Sequence, residues 1–100
     1  MRSKLGHRRD RNHSEIKAVF EQCGWSVFDS YQLGGGFPDF VAGRGGVNLL
    51  IEVKDNLKPP SQRALTKPEV DFHMKWKGQC CVVRDVGEAL AVANRFHAAL

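Results

Sequence analysis

The stretch GGGFPDFVAGRGGVNLLIEVKDN, residues 34–56, decides how this chain folds. Two runs rich in β-formers, Pro38 to Ala42 and Val47 to Lys54, flank GRGG at 43–46, which is the pattern of a hairpin. The second run begins as a good buried strand, VNLLIEV, and then sets Glu52 and Lys54 two residues apart. Side chains alternate along a strand, so both project from the face that carries Leu50, with roughly 7 Å between their positions. Asp39 lies in the first run, and closing the hairpin brings it alongside the end of the second. An uncompensated charge on a face that starts apolar is costly. These three groups therefore neutralise one another or hold something.

Outward from the hairpin, the spacing predicts a complete domain. Upstream, NHSEIKAVFEQCG (12–24) places Ile16, Val19, Phe20 and Cys23 at helical intervals, and Gly24 marks the stop. WSVFDSYQL (25–33) then alternates, which predicts a strand from Trp25 to Asp29 or Ser30. The glycines at 34–36 lack the Gly-Lys-Ser/Thr ending of a phosphate loop and precede a strand, so they read as a flexible connection. Downstream, DNLKPPSQRA (55–64) carries two prolines and reads as a surface loop. Thr66 and Glu69 form a capping box, with Pro68 in the first turn, for a helix running to about Lys77 and stopped by Gly78. QCCVVR (79–84) has the composition of a short strand covered on both faces. Asp85 and Glu88 make a second capping box for a last helix, whose apolar side gathers Val86, Ala89, Leu90, Ala93 and Phe96.

The resulting order, α-β-β-β-α-β-α, predicts an α/β fold. Strands one to three form an antiparallel meander, and the helix after strand three is long enough for a right-handed crossover to a parallel strand four. A mixed four-stranded sheet flanked by helices follows.

One hundred residues, 42% of them hydrophobic, make a single domain with a small core. No run of eighteen apolar residues and no signal-peptide pattern is present, which predicts a soluble, cytoplasmic protein with no membrane partner. Cys23, Cys80 and Cys81 show no C-x-x-C spacing and read as core filler in a reducing compartment. The net charge of +4 sits at one end. Residues 1–17 hold Arg2, Lys4, Arg8, Arg9, Arg11 and Lys17 against Asp10 and Glu15, and the remainder is neutral. Residues 1–11 thus read as a basic arm and 12–100 as the domain. Such an arm suits a polyanion, through counterion release; a solubilising tail fits the same charges.

Two converging carboxylates repel unless a cation lies between them. A hard divalent ion on oxygen ligands, Mg2+ or Mn2+, fits Asp39 and Glu52, and Lys54 is suited to hold water and stabilise charge on a phosphate. That is machinery for phosphodiester hydrolysis. The plain alternative is a turn aspartate beside an exposed Glu52–Lys54 pair worth at most about 1 kcal/mol.

FPDFV followed by LLIEVK resembles the PD-(D/E)XK phosphodiesterase superfamily, and residues 11 to about 90 resemble its small virus-type replication-repair nuclease (VRR-NUC) domain in the stand-alone phage or bacterial form. The resemblance implies a restriction-endonuclease-like core and a metal-dependent DNA endonuclease. It implies a homodimer cutting branched DNA such as four-way junctions, working in a bacterial or phage-infected cytosol. It implies Asp39 and Glu52 as metal ligands, the Val53 carbonyl completing the site, Lys54 as catalytic lysine and Glu15 as a further acidic residue near the metal. Glu69 falls where many members carry glutamine and is a further catalytic candidate, through a contact with water or substrate, while the capping box explains it as structure. His73 reads as a half-buried histidine and Trp25 and Trp76 as core. Arg8, Arg9, Arg11, Arg44 and Lys58 are the candidate nucleic-acid contacts. Two other functions fit the same residues: a non-catalytic nucleic-acid-binding module, and a nuclease for linear duplex or single strands.

Overall fold

The computed structural model describes residues 11–95. Helix α1 (His13–Gln22) is followed by β1 (Ser26–Asp29), a 3-10 turn at Tyr31–Leu33, β2 (Phe40–Arg44) and β3 (Val47–Val53). After these come a short α2 (Pro60–Arg63), α3 (Lys67–Lys75), β4 (Cys80–Val83) and α4 (Val86–Arg95). The sheet order is β1-β2-β3-β4, with the first two pairings antiparallel and β3–β4 parallel across the α3 crossover. The α/β class, the meander and the mixed sheet match the sequence expectation.

Alternation builds the two faces. Phe40 and Ala42 of β2 stand opposite Ile51 and Leu49 of β3 and look toward α1 and α4. There they meet Ile16, Phe20, Ala89, Val92 and Ala93, forming one sealed apolar core with Val53 and Val83. Trp25 closes its end: the indole N–H donates to the Ala93 carbonyl (3.2 Å) and its ring packs edge-on to Phe20. The opposite face carries Val41, Leu50, Glu52, Cys80 and Val82, and α3 lies over it.

The hairpin turn is Gly45-Gly46, at φ 59° and 83°. Both are left-handed, as a tight two-residue turn matched to strand twist requires. The strand therefore runs two residues further than expected, through Arg44. The Gly34–Gly36 connection is a fitted contact as well as a link. Gly36 has φ 86°, and a Cβ there would lie 2.3 Å from the Pro68 carbonyl oxygen, so only glycine lets this segment meet the start of α3.

Other departures have local causes. Pro60 begins α2 within the expected loop, where its missing N–H is no loss. Strand β4 is an edge strand, so Cys80, Cys81 and Val82 are half-buried and only Val83 is enclosed. On α4, Ala89, Val92 and Ala93 face the core, while Val86 and Leu90 are 43% and 47% exposed. Phe96 lies outside the described residues. Asp85 does cap α4, accepting the Glu88 N–H at 2.8 Å, but Glu88 reaches back to the Arg84 N–H instead of closing the box. Among the described residues no helix is long and apolar enough to cross a membrane.

Candidate active site

The register of β2 and β3 places the central pair. Phe40 stands opposite Ile51 and Val41 opposite Leu50, so one step on, Asp39 falls opposite Glu52. The N–H groups of Leu50 and Lys54 point to the β4 side, where they donate to Gln79 and Val83 carbonyls. Asp39–Glu52 is therefore a position without mutual backbone hydrogen bonds, the kind in which facing side chains stand closest. Asp39 Oδ2 also accepts the Val53 N–H at 2.7 Å. One further step along the register sets Pro38 opposite Val53. Proline has no N–H to donate, so the ladder bond that would occupy the Val53 carbonyl is missing.

Glu52 is 3% exposed and Lys54 9%. Lys54 Nζ lies 2.9 Å from Glu69 Oε1 and 3.9 Å from Glu52 Oε2, so Glu69 takes the closer hold. The same Glu69 oxygen accepts the Thr66 N–H (2.8 Å), and Thr66 Oγ1 accepts the Glu69 N–H. The capping box is thus present, and the same carboxylate also clamps the lysine.

These distances decide the charges. Burial first, then the carboxylates of Asp39 and Glu69, push Glu52 up to about 10 against a smaller lowering by Lys54, and a hydrogen bond with Asp39 adds to the rise. Without a cation, Glu52 holds a proton at neutral pH. Burial would raise Glu69 too, but the hydrogen bonds from Lys54 and Thr66 outweigh it and hold its carboxyl below the ordinary value. His73 is lowered by burial, partly offset by Glu69, and sits against Cys80, with 3.5 Å from Sγ to Nδ1. It is the half-buried histidine expected. Burial raises the Cys80 and Cys81 thiols to about 11 and 12, which keeps both protonated and inert at neutral pH.

The structure brings Asp39, Glu52, Val53, Lys54 and Glu69 together. It does not bring Glu15 to them. Glu15 is exposed on the first turn of α1 and lines a cleft of about 330 Å³ with Arg11, Asn12, Asp55, Asn56, Leu57, Arg84, Asp85 and Val86. Helix α1 packs on the apolar face, and Asp55, one residue beyond Lys54, points that way. Among the described residues no three His, Cys, Asp or Glu side chains are gathered as a metal site.

Two of the basic candidates, Arg11 and Arg44, prove to be structural or stand elsewhere. Arg11 belongs to the domain and not to the arm, since its guanidinium pairs with Asp55 (2.9 Å), a carboxylate 1% exposed that needs a countercharge. Arg44 is at the far end of β2 from Asp39. It donates to the Cys23 carbonyl (2.8 Å) and lies 4.9 Å from the Trp25 ring centre, so backbone and π-face absorb its charge. Lys58 is half-buried in the turn that its N–H closes onto the Asp55 carbonyl (3.1 Å). Arg8 and Arg9 lie outside the described residues.

Asn12 and His13 escaped the sequence reading. Asn12 Nδ2 donates to the carbonyls of Lys54 and Arg84, which pins the start of α1 to the ends of β3 and β4. His13 is buried against Tyr31 and Phe40. A polar pair at the helix start, three residues ahead of Ile16, the first buried apolar residue of the helix, was the available signal. No family model, curated protein or solved structure matches the chain.

Proposed function

We propose that this protein is a divalent-metal-dependent DNA endonuclease of the PD-(D/E)XK type, close in design to the VRR-NUC domain. The observation that carries the reading is buried Glu52 facing half-buried Asp39 across the hairpin, with buried Lys54 on the same strand end. Burial and the neighbouring carboxylates disfavour the charged form of Glu52, and a divalent cation is one partner that would offset that repulsion.

The donor set suits such an ion. Asp39, Glu52 and the Val53 carbonyl offer hard oxygen ligands, and magnesium is content with two carboxylates plus waters and substrate oxygens. When bound, Mg2+ or Mn2+ supplies an activated water and polarises the phosphoryl oxygen. Glu52 must lose its proton to become a ligand, so occupancy rises with pH. Lys54 presents its ammonium to the incoming water and the charge developing on the phosphate, and Glu69, fixed by Thr66, aims it. Lys58 and the basic arm with Arg8 and Arg9 are proposed as phosphate contacts, and branched DNA cut by a homodimer with two symmetric sites as the working scheme.

The test is a digest of labelled four-way, flap, duplex and single-stranded DNA with Mg2+, Mn2+ or chelator, run beside Lys54→Ala and sedimentation of the same samples. Cleavage should require metal, favour the four-way substrate and fall about 10²–10³-fold in Lys54→Ala, with binding retained. Equal cleavage by the variant would end the assignment. A fully active monomer would remove the dimer.

A further inference from the structure

We propose that Phe37, Phe72 and Trp76 form a stacking platform for an unpaired nucleobase of the strand whose phosphate meets Lys54. This rests on the nuclease reading and deepens it, by naming the substrate as a strand with unpaired nucleotides beside the cleaved bond. The Phe72 ring packs edge-on to Phe37 (5.2 Å between centres, 72°) and stacks on Trp76 (5.3 Å, 17°). The row starts at the site: Phe37 is two residues before Asp39, and Phe72 is one helical turn beyond Glu69. From Glu69 to Trp76 it advances about 10 Å along α3.

Packing of α3 accounts for Phe37 and Phe72 in part, and does not account for Trp76. Helix α3 buries none of its residues, and Trp76 is 44% exposed. The other tryptophan, Trp25, is 3% exposed and hydrogen-bonded; the expectation that both were core holds for that one alone. The indole of Trp76 is nonetheless fixed. Its backbone N–H donates to Phe72 (2.9 Å), and a Cβ at Gly78 would come within 2.8 Å of its Nε1. An aromatic ring held in place and still 44% exposed offers surface to a flat partner. Exposed Lys75 and Lys77 flank it in sequence. Aromatic rings among cations, continuous with a phosphodiester site, are the surface that single-stranded nucleic acid binds. A base inside a duplex already has both faces covered, so only an unpaired one can use the platform.

The experiment measures binding in chelator, where cleavage is silent. A short oligothymidylate and an abasic strand of equal length are titrated against the protein while tryptophan emission is followed. The base-bearing strand should bind about tenfold more tightly and change the emission. Trp76→Ala should equalise the two strands and Trp76→Phe keep part of the difference, with unchanged thermal melts. Equal affinities in the unaltered protein, or discrimination surviving Trp76→Ala, overturn the platform. So does a concentration-dependent change of emission without DNA, which would give this face to a second copy of the chain. Base discrimination in a protein that cuts nothing with metal would uphold the platform and sink the nuclease reading.

Discussion

Strand β3 has two sides that behave as different materials. Leu49, Ile51 and Val53 enter a sealed core against α1 and α4, where Ile16, Phe20 and Ala93 are fully enclosed. Leu50, Glu52 and Lys54 meet α3, which is held by few and specific contacts: Pro68 on Gly36, Phe72 on Phe37, His73 on Cys80 and Glu69 on Lys54. One side is stabilised by many interchangeable apolar contacts. On the other, the buried Lys54 ammonium is tolerated because Glu69 holds it at 2.9 Å, and Glu52 because its carboxyl is shifted toward the neutral form. Rigidity supplied by the first lets the second keep costly groups in place, as a preorganised site requires.

That contrast can be broken in order of effect. Phe20→Ala, on the sealed side, should cost about 3–5 kcal/mol in denaturant unfolding, with or without metal. A loss below about 1 kcal/mol would mean the core does not carry the domain. On the other side, Glu52→Gln should stabilise the metal-free protein at alkaline pH. The folded carboxyl titrates near 10 and the unfolded one near 4.5, so the folded state holds the extra proton between those values. Stability then falls as pH rises through that window, by at most about 1.4 kcal/mol per pH unit. Urea midpoints of the unaltered protein minus those of Glu52→Gln should decline from pH 5 to 9. Adding Mg2+ or Mn2+ at pH 8 should raise only the midpoint with Glu52 intact. Parallel pH profiles would show that Glu52 is not a buried acid. The smallest effect belongs to Arg11→Ala, about 1 kcal/mol because the guanidinium is half exposed, and it should be repaired by Asp55→Asn in the same chain. Additive losses would dissolve that pair.

Much of the site was legible because strand periodicity is strict. Glu52 and Lys54 share a face whatever packs there, and the hairpin glycines fix which end of β2 Asp39 occupies. The Thr66–Glu69 box was equally readable, since a cap is a local hydrogen-bond requirement. The same parity applied one residue further would have sent Asp55 to the opposite face and predicted a partner such as Arg11. Arg44 looked like a hairpin tip because the turn was drawn two residues too wide. Glu15 shares its helix with Ile16, and only the packing of that helix shows which cleft the glutamate lines.

The sequence by itself determined the element order, the class of fold, and which residues share a face, because alternation, helical spacing and capping are satisfied within a few residues. Only the tertiary structure decided partners: Lys54 to Glu69 more closely than to Glu52, Arg11 to Asp55, Arg44 to Trp25, and Trp76 left open beside the site. Those choices depend on distances between segments far apart in the chain. Both the strength of a charge pair and the penalty of burying it change sharply with separation and access to water.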